Sequence, residues 1–514
     1  MKPIVTILSA LLFALIAPSQ AGAVKLAALF SDHMVLQREQ PVPVWGWAKP
    51  GEKITVEFVG QKKSAQADGK GKWVVMLDPL PASAEGRELV VQSTDGKDNS
   101  KLTDVVVGDV WLCSGQSNMH FTMSRVENAP QEIAAANNPA VRFFAVEHQF
   151  AQSPAENVIG AWEPISPATA GACSAAAYYF GNALQQKLGV PIGLLVSSVG
   201  GTRIETWMRP ETLSTTGESA PLVEKWRSVS AVEFENIATA YRAYQQERDQ
   251  LHPQAVKSAK AQGAPVPPPP PMPKLRCHDC PGALHHGMIA PLQPYAIRGA
   301  IWYQGEANSG QPGPYERLLP AMIADWRQVW GNELPFLFVQ LAPYRGTHPA
   351  FREAQHRIWQ KTPRTAMAVI TDVGDAGNIH PTRKRPVGER LALAARALSY
   401  GEKVEYSGPV FSGMRIENSR AVISFEHVGE GLMAKGDTLK GFTLAGADGK
   451  FIPAEAVING ATVVVTADKI AAPVAVRYAW AFVPDVNLFN REGLPAAPFR
   501  TDAPAGLIPG GKSK

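Results

Sequence analysis

Short apolar runs alternating with polar positions and broken by turn residues fill the chain from Val24 to about Thr103. Ile54–Phe58 and Trp73–Leu77 read as strands, with Asp68-Gly69 and Asp95-Gly96 marking turns between runs. The same texture returns from about Val404 to Asp502, in Ala421–Phe425, Thr462–Val465 and Val474–Trp480. There Asp448-Gly449 and Asn459-Gly460 are the turn signals. Both flanks predict antiparallel β-sandwiches, jelly-roll-like in texture.

The middle of the chain has a different rhythm. Nearly continuous apolar runs (Val105–Leu112, Ile192–Val199, Ile297–Tyr303, Phe336–Leu341, Ala366–Thr371) alternate with helical patterns at Ser174–Leu188, Tyr315–Trp330, Phe351–Lys361 and Val387–Tyr400. In the last, Val387, Leu391, Ala394, Ala395 and Leu398 recur at helical spacing. Buried strands alternating with helices predict a parallel α/β sheet covered on both faces. Between the second and third runs lies an insertion, 211–283. It carries one helix with Phe234, Ile237, Tyr241 and Tyr244 on a face, and near its end the stiff proline run Pro265–Pro273.

The N-terminus adds a targeting signal. Lys2, an apolar run from Ile4 to Ala17 and the small residues Ala21-Gly22-Ala23 predict a secretory signal over 1–23, too short in its apolar part for a membrane span of about 20 residues. The mature chain is expected to be secreted or periplasmic, without a membrane span. The domain expectation is then 24–104 for the first sandwich, 105–403 for the α/β domain, 404–503 for the second sandwich and 504–514 for a tail. At about 150 residues per domain, 514 residues fit three such units.

Composition narrows the chemistry by exclusion. Lys and Arg number 50 against 46 Asp and Glu, a formal charge of +4 without a basic cluster, so nucleic acid is not an expected partner. Four cysteines are too few for a disulfide scaffold. Cys277-His-Asp-Cys280, with His285 and His286 nearby, lacks the second Cys pair of a zinc site and reads as a local disulfide or free thiols. No metal is expected.

Open α/β sheets bind ligands beyond the carboxyl ends of their strands, so the loops after the runs carry the functional reading. After the first comes Cys113-Ser-Gly-Gln-Ser117-Asn118-Met119, where Ser117 is placed to be an exposed nucleophile or a helix cap. The lipase pattern G-x-S-x-G fails at Met119. After the second comes Gly200-Gly201-Thr202-Arg203, whose glycine N–H groups could donate to an oxyanion or simply form a turn. After the third comes Gln304-Gly-Glu306-Ala-Asn308, where a side-chain amide could add a donor. After the fifth, His380 could return to Ser117 as a general base. Four loops, each with one needed part, point to a serine hydrolase.

Trp111–Met119, Ile301–Asn308, Asn378–Pro381 and Val387–Leu391 resemble the sialate O-acetylesterase family of SGNH/GDSL hydrolases, as do Leu29–Arg38, Gly287–Leu292 and Arg477–Asp502. The resemblance spans about 26–502 and leaves 211–283 unmatched. It implies a cofactor-free carbohydrate O-acetylesterase with a flavodoxin-like, three-layer hydrolase domain between β-sandwich domains. It makes Ser117 the nucleophile and His380 its base. The oxyanion donors it implies are the N–H of Ser117, the N–H of Gly201 (or Gly200) and the amide of Gln304 rather than Asn308.

The triad acid departs from the family pattern, because Gly377 and Asn378 stand where relatives place Asp. Asp375 ranks first, Glu306 second, and no acid at all is the third option. The family name implies 9-O-acetylated sialic acid as substrate, with Arg203 (or Arg125) facing its carboxylate and Asn118 beside the nucleophile. Acetylated xylan or xyloglucan is the alternative. A carbohydrate-binding protein with a decayed esterase centre, using Trp45, Trp47 and Trp480, is the alternative of another class.

Overall fold

The computed structural model describes residues 24–93, 99–217, 219–331 and 333–502. The expected signal at 1–23 and the tail at 504–514 lie outside these. Among the described residues no helix is long and apolar enough to cross a membrane.

One strand organises the molecule. β1 (Asn99–Gly115) has two halves, and its sequence shows both. Over Asn99–Asp104 half-buried and exposed positions alternate, and this half pairs antiparallel with Ser83–Ser93 in the N-terminal sheet. From Val105 onward every residue is buried, and Asp109–Gly115 sits between two parallel strands. An alternating pattern suits a sheet with one wet face, and an unbroken apolar run suits one covered on both. The expected boundary at 104/105 thus falls inside a single strand, and the N-terminal and central cores form one apolar cluster.

The central sheet continues with β2 (Asn138–Ala145), β3 (Ile192–Ser198), β4 (Gly299–Tyr303), β5 (Phe336–Val339) and β6 (Thr365–Ala368), in the order β2-β3-β1-β4-β5-β6, all parallel. The five expected runs are β1, β3, β4, β5 and β6. β2 and an antiparallel edge strand, Trp162–Ile165, were not anticipated. The four expected helices are α1 (Ala175–Leu188), α2 (Pro312–Trp330), α3 (Pro349–Lys361) and α4 (Arg385–Tyr400). Ser174 caps α1 by accepting the N–H of Ala177. α1 packs on α4, and α2 on α3.

In the C-terminal part, Val410–Glu417, Arg420–Glu426, Glu455–Asn459 and Thr462–Thr466 form one antiparallel sheet, and Phe442–Ala445, Phe451–Pro453, Ala475–Tyr478 and Phe499–Arg500 another. Phe411, Ile423, Val463, Leu444, Val476 and Phe499 from the two sheets share one apolar core. This part is tied to α3 by Arg352, which is fully buried and donates to the carbonyls of Ala481 and Phe482, and by a two-pronged pair between Arg500 and Glu353 (3.0 and 3.2 Å).

The insertion folds as helices around a small core of its own, containing Trp226, Phe234, Ile237, Cys277 and Cys280. All four cysteines are buried free thiols, so the local disulfide is not formed. His278 shares a hydrogen bond with the Tyr241 hydroxyl (3.0 Å). Trp45, considered for sugar stacking, is buried edge-on against Phe30 and cannot meet a ligand.

Candidate active site

The order β3-β1-β4 brings three of the singled-out loops side by side at the carboxyl ends of their strands. Ser117 follows β1 at the first position of a single helical turn, Ser117–His120. The turn is held at its start by Gln116, whose N–H donates to the Tyr303 carbonyl (3.0 Å). Its Oε1 accepts from the N–H groups of Gly305 (3.4 Å) and Ala307 (3.3 Å). The nucleophile loop is thereby stitched to the loop after β4.

His380 reaches Ser117 from the loop after β6, with Nε2 2.8 Å from Oγ. Its own N–H donates to Oδ1 of Asn378 (2.9 Å), an Asx-type turn that shapes the approach. Burial lowers the His380 pKa below its ordinary 6.5, and the positive charges of Lys384 and Arg125 lower it further. A histidine so placed is a neutral base at neutral pH.

Gly200 lies against the nucleophile: a Cβ there would stand 3.3 Å from Cβ of Ser117. Gly201 turns the chain away at a φ of +74°, and its nearest neighbour is His278. Among the described residues the N–H groups of Ser117, Gly200 and Gly201 have no intramolecular acceptor, so they are open to an external oxygen.

The two amides of the β4 loop are occupied. Nε2 of Gln304 donates to the Thr202 carbonyl (3.1 Å) and to Oδ1 of Asn308 (2.8 Å), while its Oε1 accepts from Tyr315. Asn308 accepts the Ile204 N–H (3.0 Å) and donates to Glu205 (2.9 Å). Both side chains are buried and brace the glycine loop against β4. Arg203 is likewise braced, by Gln311 and by Glu205 at 3.4 Å. Arg125 lies over the Phe121 ring (4.5 Å).

Neither candidate acid touches His380. Oδ1 of Asp375 accepts from the N–H groups of Gly377 (2.8 Å) and Asn378 (3.1 Å), so it closes its own loop. Glu306 accepts from Asn118 Nδ2 at 2.5 Å, and its other oxygen is buried without a partner. Among the described residues no carboxylate bonds Nδ1 of His380. Asn118 also donates to the carbonyl of Ile379 (3.0 Å) and accepts from Lys384. Lys384 is the residue that sequence reasoning missed. Within Arg383-Lys384-Arg385 it reads as part of a solvated charge run, yet it is fully buried.

A family model described as carbohydrate esterase, sialic acid-specific acetylesterase, matches residues 107–258 and 284–397. Most of 211–283 lies within that match and only 259–283 outside it, which corrects the expectation that the whole segment stands apart. A sialate O-acetylesterase of Mus musculus is 30% identical over 542 residues, covering 95% of this chain and 96% of its own. The human protein of that name is 28% identical over 528 residues, with 92% of each chain covered. A crystal structure of a carbohydrate acetylesterase from Xanthomonas citri aligns with a TM-score of 0.78 and 37% identity, covering 94% of this chain and all of the other (100%).

Proposed function

The chain belongs to the sialic acid-specific acetylesterase family of carbohydrate esterases, and from that premise we propose that it removes O-acetyl groups from sugar hydroxyls through an acyl-enzyme on Ser117. The observation that carries this reading is the 2.8 Å contact between Nε2 of His380 and Oγ of Ser117 at the end of a buried strand. His380 takes the hydroxyl proton as Oγ attacks the acetyl carbonyl. The tetrahedral oxyanion is held by the open N–H groups of Ser117 and Gly200. The protonated imidazole then gives its proton to the departing sugar oxygen. Water, activated by the same imidazole, releases acetate. General-base catalysis supplies about 10²–10⁴-fold, and each oxyanion donor about 10²–10³-fold. With Gln304 and Asn308 committed to neighbours, the oxyanion site in this reading is made of backbone.

The fold reading that accompanies this function is a three-layer SGNH-type hydrolase domain with β-sandwich flanks. Export, by way of residues 1–23, completes it. The substrate proposed is an O-acetylated sialic acid, following the family's description. The bracing of Arg203 by Gln311 and Glu205, away from a free cation, supports a second reading, acetylated plant polysaccharide. An acetate-release screen over O-acetyl sialosides, acetylated xylan and acetylated xyloglucan separates the two. Faster turnover of the glycans overturns the sialate reading. Ser117→Ala is expected to lower acetate release by more than about 10⁴-fold in a folded protein. Turnover retained in that variant removes the nucleophile assignment.

A further inference from the structure

Bonded to Asn118, the residue after the nucleophile, lies a buried lysine that the mechanism does not use. Lys384 exposes none of its surface, and among the described residues no carboxylate is within ion-pair distance of it. Its ammonium donates to Oδ1 of Asn118 and stands over the rings of Phe121 (4.8 Å) and Tyr303 (5.1 Å). Burying an ammonium costs a great deal unless it organises its surroundings. Here it has a specific effect on one amide. Lysine only donates and a carboxylate only accepts, so Lys384 on one side and Glu306 on the other fix which end of the Asn118 amide is oxygen and which is nitrogen. The nitrogen end then also holds the Ile379 carbonyl at 3.0 Å.

Asn118 is the residue after Ser117, and Ile379 the residue before His380. One oriented amide therefore ties nucleophile to base. In a serine triad the acid on Nδ1 aligns the imidazole; among the described residues no carboxylate occupies that place. We propose that Lys384 is a positioning residue which, through Asn118 and Glu306, holds the His380 loop in register with Ser117 and so stands in for the missing acid. Its charge also opposes formation of the imidazolium. The groups facing His380 are Lys384, Arg125, Phe121 and Ser117, and those facing Lys384 are Asn118, Glu306, Arg125, Phe121 and Tyr303. Burial draws the lysine's own pKa down to about 7 and raises that of Glu306, while the attraction between the two charges and the Asn118 hydrogen bond oppose these shifts.

This inference rests on the Ser117–His380 reading, and the experiment keeps the two apart. Steady-state hydrolysis of an aryl acetate is measured from pH 5 to 8 for the full chain, Ser117→Ala, Lys384→Met, Asn118→Asp and Lys384→Met/Glu306→Gln, with folding checked by thermal denaturation. Lys384→Met is expected to lower kcat by about 10²-fold, as a misplaced base does, with KM little changed. The acid limb of its kcat/KM profile should move to higher pH. Asn118→Asp satisfies the ammonium but offers an acceptor where Ile379 needs a donor, so it is expected to fold and to lose kcat similarly. The double variant, which no longer strands a carboxylate, should lose less than Lys384→Met alone. A folded Lys384→Met or Asn118→Asp enzyme with kcat within about threefold of the unaltered chain and an unmoved acid limb overturns the proposal. Activity in Ser117→Ala would instead overturn the reading beneath it.

Discussion

At the scale of single residues, Ser117 and His380, which the structure brings within 2.8 Å, stood out because each lies in a short loop whose neighbours leave it few other roles. The acid was not legible. Asp375 was ranked first from its position five residues before His380, yet its carboxylate serves the N–H groups of Gly377 and Asn378. An asparagine oxygen accepts those hydrogens equally well, so Asp375→Asn is expected to keep kcat within about threefold. Loss of a true triad acid by the same change costs about 10⁴-fold, and a loss of that size would restore Asp375 to the triad. The base makes a prediction of its own. With its pKa held below 6.5 by burial and by Lys384 and Arg125, His380 is expected to give kcat/KM an acid limb below pH 6.5, seen in a pH–rate profile on a neutral acetate ester. Lys384 stayed hidden for a simple reason: burial of one cation in a run of three is a tertiary fact, and local charge pattern predicts the opposite.

At the scale of elements, periodicity located helices α1 to α4 and, among the described strands β1 to β6 of the central sheet, all but β2. β2 was missed because Arg142 interrupts its apolar run. That arginine is buried, with its guanidinium spent on the His33 and Asp104 carbonyls and the Asp104 carboxylate. Hydropathy marks such a position as surface, whereas a buried arginine with each guanidinium nitrogen bonded is a strand residue at a junction. Gly388 shows the reverse case, a small residue whose meaning lies in its neighbour. A Cβ there would meet the Phe180 N–H at 2.6 Å and the Ala176 carbonyl at 2.8 Å, so α4 lies on the backbone of α1 at this point. Gly388→Ala is expected to push the helices apart and cost about 1–3 kcal/mol, read as a lowered denaturant midpoint. An unchanged midpoint would mean that the two helices have slack.

At the scale of the whole molecule, three buried histidines set an acid limit. Burial pushes His278 down to about 3, and His285 and His356 to about 4. The unfolded chain takes up these protons near pH 6.5 while the folded chain refuses them. Their contribution is therefore complete above pH 6.5 and is lost as pH falls toward 4, by about 1.4 kcal/mol per pH unit for each. A melting temperature that falls steadily between pH 7 and pH 5 is expected, and a flat profile would contradict it. The overall plan, two β-rich flanks around an α/β centre, was readable because strand and helix periods differ. The continuity of the first flank with the centre was not, since nothing in a change of burial pattern says that the strand itself goes on. That continuity bears on how the chain comes together. The first half of β1 finds its partner a short way back along the chain and can close early, while its second half must wait for segments far downstream at β3 and β4. Until they arrive, an apolar strand with two bare edges projects from an already ordered sheet. Such an edge invites association with other chains, so yield on renaturation should depend steeply on protein concentration.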